Sequence, residues 1–264
     1  MMGTAMGTSA ILVLTMAVPA YVALGPSKLG PYDDAAPTQA SLLAEAEVRA
    51  AEFDFAGARD VLTPWAASRD TDAHVAAIYM MGLIDAREAW RQGGSPESLA
   101  PVRDAISSLE AAAKGRPGSA EIARLMLQAA AAAAQSERDE MRLYLDTAVR
   151  METLQRAAGL PGAPLVPAAE TAGDLWLQVH RYDEARRAYD EAAAFAEASA
   201  AKAEHTGASL RIASGRARAA RGANDVPAAC AAFRALLDGW GARAGQPIEI
   251  AEARAYVSGS CPAR

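Results

Sequence analysis

Lysine, histidine, cysteine and the aromatic residues are all scarce in this 264-residue chain. Only 3 of the 26 basic residues are Lys, and with 32 Asp and Glu the formal net charge is -6. Binding to a phosphate backbone needs a basic face, so nucleic acid is excluded as a general partner. The three histidines, His74, His180 and His205, are scattered and form no recognisable metal-ligand arrangement. No glycine-rich nucleotide loop and no G-x-S-x-G nucleophile turn is present. The expectation is therefore a protein with no metal, no cofactor and no catalytic residue. Phe, Trp and Tyr number 4, 4 and 7 against 68 Ala, so the interior must be built from closely approaching helices rather than from bulky packing, and strands are disfavoured.

A long hydrophobic run is also lacking, with one short exception. Ala10 to Leu24 is almost wholly apolar, broken only by Thr15 and Pro19. About fifteen residues are too few to span a bilayer and suit a signal-peptide core. Val18-Pro19-Ala20 and Ala23-Leu24-Gly25 offer small residues for cleavage. No Lys or Arg precedes the core, so an uncleaved inner-membrane anchor is the competing expectation, and no Cys follows it for lipid attachment. Residues 1–25 thus read as signal peptide or anchor, which places the mature protein in the periplasm or outside the cell. Residues 26–37 read as a Pro-rich linker, and the folded part begins near Thr38.

From there the pattern is helix, short break, helix. Asp72 opens one segment; Gly93-Gly94-Ser95-Pro96 stops it and starts the next, with Ser95 as N-cap. Ser136 and Asp225 are candidate caps for two further helices. The loop from Gly159 to Pro164 is the long irregular break, so repeats are expected over 38–158 and again over 165–258. About eleven helices and no sheet are expected. Tyr182, Ala185, Tyr189 and Ala192 are spaced three, four and three, which places them on one helix face. The same spacing recurs in Val226, Ala229, Phe233, Leu236; in Val102, Ala105, Leu109, Ala112; and in Phe55, Ala58, Leu62, Trp65. A helix that crosses its partner at the small residue and fills the gap to the next unit with the large one would show this pattern.

These residues resemble the tetratricopeptide repeat family. The likeness is best from Ala172-Gly173-Asp174-Leu175-Trp176 to Tyr182-Asp183-Glu184-Ala185, and Pro117 after Ala112 stands where that family ends a unit. Two departures are plain: His180-Arg181 replaces the usual Gly-Asp, and Ala185 to Ala229 is 44 residues rather than 34. The resemblance implies an all-α fold: a right-handed superhelical array of antiparallel helix pairs, closed by a C-terminal solvating helix from Pro247 to Tyr256. It also implies that the first helix of each pair lines a concave groove.

On such a first helix, Arg211, Ser214, Arg218 and Arg221 are spaced three, four and three, and Glu170, Asp174 and Gln178 occupy the matching face of the preceding unit. Arg in a groove suits a carboxylate, so the expected partner is a protein or peptide, acidic or read through its C-terminal carboxylate. The pattern Ser199-Ala200-Ala201-Lys202 with His205-Thr206-Gly207 imitates serine β-lactamase motifs, but those belong on separate elements of an α/β fold. The function read from this chain is a non-catalytic scaffold or assembly factor of the bacterial envelope. An all-helical envelope hydrolase and a membrane-anchored regulatory subunit are the alternatives. A disulfide between Cys230 and Cys261 is expected, because a solvating helix running back along the last repeat helix brings their ends together in an oxidising compartment.

Overall fold

The computed structural model describes residues 42, 45–46, 48–50, 52–68, 71–114, 118–199, 207–241 and 248–262. Residues 1–37, expected as leader and linker, the boundary expected at Thr38, Ala200 to Thr206 and residues 242–247 lie outside these residues. Ten continuous helices are described: α1 Phe55–Ala66, α2 Thr71–Arg91, α3 Ala100–Ala113, α4 Ser119–Ala134, α5 Arg138–Ala157, α6 Ala168–Gln178, α7 Tyr182–Ser199, α8 Gly207–Gly222, α9 Val226–Trp240 and α10 Ile248–Ser260. Residues 42–50 are helical where described, and no strand occurs among the described residues.

Each helix packs on the next, and the even-numbered helices also touch one another in series: α2 on α4, α4 on α6, α6 on α8, α8 on α10. The odd-numbered helices make no such contacts among the described residues. The even helices therefore form a close inner row and the odd ones a splayed outer row. Most of the buried side chains from Val75 to Ala219 form one core cluster, with smaller clusters under α1 and around α9 and α10. Packing is continuous across the 159–167 loop.

A backbone feature sets the phase of the array. Phe53, Ser136, His180 and Asn224 all have positive φ, between 59° and 66°. Each follows an inner helix as its left-handed C′ residue, and the next residue donates its amide back five positions: Asp54 to Arg49, Glu137 to Ala132, Arg181 to Trp176 and Asp225 to Ala220, at 2.8–3.0 Å. Gly93 (φ 85°), with Gly94 donating to Ala89, plays this part after α2. These are Schellman closures, which satisfy the last carbonyls of one helix while reversing the chain into its partner. Ser136 is thus the left-handed residue rather than a cap. Asp225 does cap α9, accepting from the Ala228 amide at 3.1 Å. Ser95 closes the turn before α3 by accepting from the Ser98 amide, and α3 itself starts five residues later.

Counting from these residues exposes the repeat. Ser136, His180 and Asn224 are 44 residues apart. Seven positions before each C′ residue stands a buried small residue: Ala46, Ala86, Ala129, Gly173, Ala217. Five and nine positions after, on the outer helices, stand Ala58 and Leu62, Met141 and Leu145, Ala185 and Tyr189, Ala229 and Phe233, none more than 1% exposed. The large residue of each outer helix occupies the space left by the small one of the inner helix, and Gly173 shows why: a Cβ there would lie 2.6 Å from the Tyr189 ring. Gly215 of α8 meets the same ring from the other side.

Candidate functional site

The inner row encloses a groove of about 570 Å³. Six positions before each C′ residue, one side chain per inner helix faces it: Arg87 from α2, Ala130 from α4, Asp174 from α6 and Arg218 from α8. The α2 end is apolar and aromatic, with Phe53, Tyr79, Met80, Leu83, Ile84 and Trp90 in the wall. Phe53 and Trp90 are 59% and 39% exposed, and Ile248 at the α10 end is 45% exposed, a cost to solubility that a partner would relieve.

The polar floor is made by α6 and α8. The Arg211 guanidinium meets Glu170 at 2.8 Å and Asp174 at 3.4 Å. Asp174 also accepts from the Tyr189 hydroxyl at 2.5 Å. Glu170 is fully buried and needs this cation. Asp174 already has both oxygens engaged. Tyr79 reaches past α4 to within 3.2 Å of the Thr171 hydroxyl on α6. Burial, and for Tyr189 the neighbouring Asp174 charge as well, pushes both phenols well above the ordinary tyrosine range. Both stay protonated and serve as hydrogen-bonding groups.

Arg218 and Arg221 are held by the last helix. Glu252 of α10 takes Arg218 through Nη2 at 2.6 Å and Arg221 at 2.7 Å. Burial disfavours the Arg218 charge, but the Glu252 carboxylate more than offsets it, so the guanidinium is raised above its ordinary value.

Of the residues singled out from sequence, Asp174, Gln178, Arg211 and Arg218 line the groove. Glu170 and Ser214 stand ten positions before their C′ residues and are buried between inner helices, both 0% exposed. Arg221 sits outside the lining, on Glu252. The three arginines expected to read a partner carboxylate are each taken by a carboxylate of the chain itself. Sequence reasoning missed Phe53, Arg87, Trp90 and Arg91. The signal for Arg87 is its place six positions before a left-handed residue: steps of 44 from Arg218 reach Asp174 and Ala130, and the next step is 43 because Gly93 and Ser136 are 43 apart.

On the outer side, α5 and α7 stand apart over a floor that includes Trp176, leaving a cleft of similar volume lined by Asp146, Arg150 and Glu191 among others. Burial, then Asp146, then Glu152, pushes the Glu191 carboxyl up. Nearby, the buried Glu152 accepts from Arg156 at 2.6 Å and from the backbone amides of Ala163 and Ala168 at 3.0 and 2.5 Å, tying the 159–167 loop to α5 and closing the first turn of α6.

Cys230 on α9 and Cys261 just beyond α10 are joined by a disulfide, with Cα atoms 5.7 Å apart. No group of His, Cys, Asp or Glu that could hold a metal ion occurs among the described residues, and no helix among them is long and apolar enough to cross a membrane. Compared with family models, with curated proteins and with solved structures, the chain gives no match.

Proposed function

We propose that this protein is a non-catalytic adaptor or assembly factor of the bacterial envelope. In this reading its tetratricopeptide-like superhelix captures a segment of another protein in the inner groove. The observation that carries the reading is the inner row itself. Equivalent positions on four successive inner helices face one groove, and its ends expose Phe53, Trp90 and Ile248. Stacked helix pairs offer such a surface without a preorganised reaction centre. The disulfide supports an oxidising compartment, and the short apolar core at Ala10 to Leu24 supports export to it.

A photo-crosslinking residue placed at Gln178 or Leu83 in the native host should capture a discrete protein partner. The same residue at Arg150, in the outer cleft, should not. Capture from Arg150 alone would overturn the groove reading. N-terminal sequencing of protein from the host envelope should begin between Tyr21 and Ser27; an intact Met1 in a soluble cytoplasmic fraction would overturn export.

A further inference from the structure

We propose that the groove takes an acidic segment with a bulky apolar residue, and that Arg87 and Arg91 on α2 recognise its side-chain carboxylates. This rests on the groove being the docking surface. Charge pairing decides which cations are available. Arg211 is committed to Glu170 and Asp174, and Arg218 and Arg221 to Glu252. Two carboxylates of α2 itself, Asp85 and Glu88, are both turned toward Arg59 of α1. That leaves Arg87 and Arg91 as the groove guanidiniums with no carboxylate partner among the described residues.

They stand four residues apart, so they share one face of α2, with the exposed Trp90 beside them. Arg91 lies over the Phe53 ring, 4.0 Å from its centroid, a contact to an aromatic face rather than to a carboxylate. Met80, Leu83 and Ile84 continue the wall below. Two fork-shaped donors above an apolar wall fit a bulky apolar side chain flanked by Asp or Glu. A neutral segment would leave both charges unmatched at the point of contact, and a basic one would be repelled.

The test is selection of a random dodecapeptide display library, fused so that no peptide carries a free C-terminus, on the oxidised full chain. Enriched peptides should carry two or more acidic residues around an aromatic or large aliphatic one. Against R87E/R91E the selection should turn to basic residues around the same apolar type. A synthetic copy of an enriched peptide should bind R87A/R91A at least tenfold more weakly and R150A within twofold of the original chain, all three keeping the helical circular dichroism and melting temperature. Gln178→Trp, which fills the groove from α6, separates the two claims. If Q178W abolishes binding but R87E/R91E leaves the selected charge unchanged, the groove reading stands and the role of Arg87 and Arg91 is overturned. If Q178W changes nothing, the peptides bind elsewhere and both fall. Failure to enrich any peptide counts against both. Preference for a phosphoserine copy over the Glu copy would overturn the carboxylate assignment.

Discussion

Tyr189 links two inner helices and the groove floor. Its ring fits between Gly173 and Gly215, on successive inner helices, and its hydroxyl serves Asp174 in the groove floor. Gly215→Ala should therefore cost about 1–3 kcal/mol, the range for overpacking a close contact. Tyr189→Leu in the same chain should recover part of that loss, a coupling that a double-mutant cycle on thermal melts reads directly. Glu191 makes a second prediction at this scale. Its folded-state pKa is raised, so the native state binds more protons than the unfolded chain just above the ordinary glutamate range, and stability falls as pH rises through that window. Glu191→Gln should melt with the original chain near pH 4 and above it at pH 7. Equal melting at both pH values would show that the outer cleft imposes no such penalty.

At the scale of the helix, α6 depends on a residue of α5. Glu152 is 3% exposed and accepts the Ala163 and Ala168 amides beside the Arg156 guanidinium, so it closes the α6 N-terminus where a side-chain cap is missing. Glu152→Gln should cost roughly 3 kcal/mol, the low end for breaking a buried ion pair, because an amide oxygen still accepts one bond. Faster hydrogen exchange at Ala163 and Ala168 would locate the effect. Outer helices of this kind were largely legible from sequence, since their quartets need a small residue opposite a large one at helical spacing. The alanines and leucines of those quartets are buried as read except the half-buried Ala112, while Val226 is 40% exposed. The α5 quartet was obscured because Met141 holds the position that Ala holds elsewhere. The groove was less legible. Its α6 and α8 floor followed from polar spacing, but each guanidinium and the carboxylate that neutralises it lie 31 to 41 residues apart in sequence, and no spacing rule pairs them. Linkers of unequal length hid the phase that points to Arg87.

On the scale of the whole chain, the array closes at its C-terminal end with its own small core. Phe233 and Leu236 of α9 pack with Ile250 and Ala253 of α10 and with Leu210 and Ala217 of α8, and the disulfide closes a loop with a sequence separation of 31. In the loop-entropy model such a bridge contributes about 3–4 kcal/mol. Quasi-one-dimensional arrays unfold from their ends. In Cys230→Ser/Cys261→Ser, α9 and α10 should therefore exchange amide protons faster than α4 and α6, and a separate early phase should appear in urea. Uniform loss of protection over all helices would show that the array unfolds as one cooperative body instead.

The shared backbone at Ser136 and His180 makes stretches of this protein interchangeable. Excising residues 137–180 would remove α5 and α6 together with Glu152 and the loop it ties, and would join α4 to α7 through a turn of the kind both already use. The phase of 44 residues keeps every remaining inner-helix position in step. Four fittings must be adjusted at the splice: Ala129 becomes Gly, because Tyr189 would meet it in place of Gly173; Tyr189 and Tyr79, whose hydroxyls lose Asp174 and Thr171, become Phe; and Arg211, deprived of Glu170 and Asp174, becomes Leu. Such a shortened chain should fold with a similar helical fraction and a groove one inner helix shorter, so that groove length is a dimension this architecture sets by whole units.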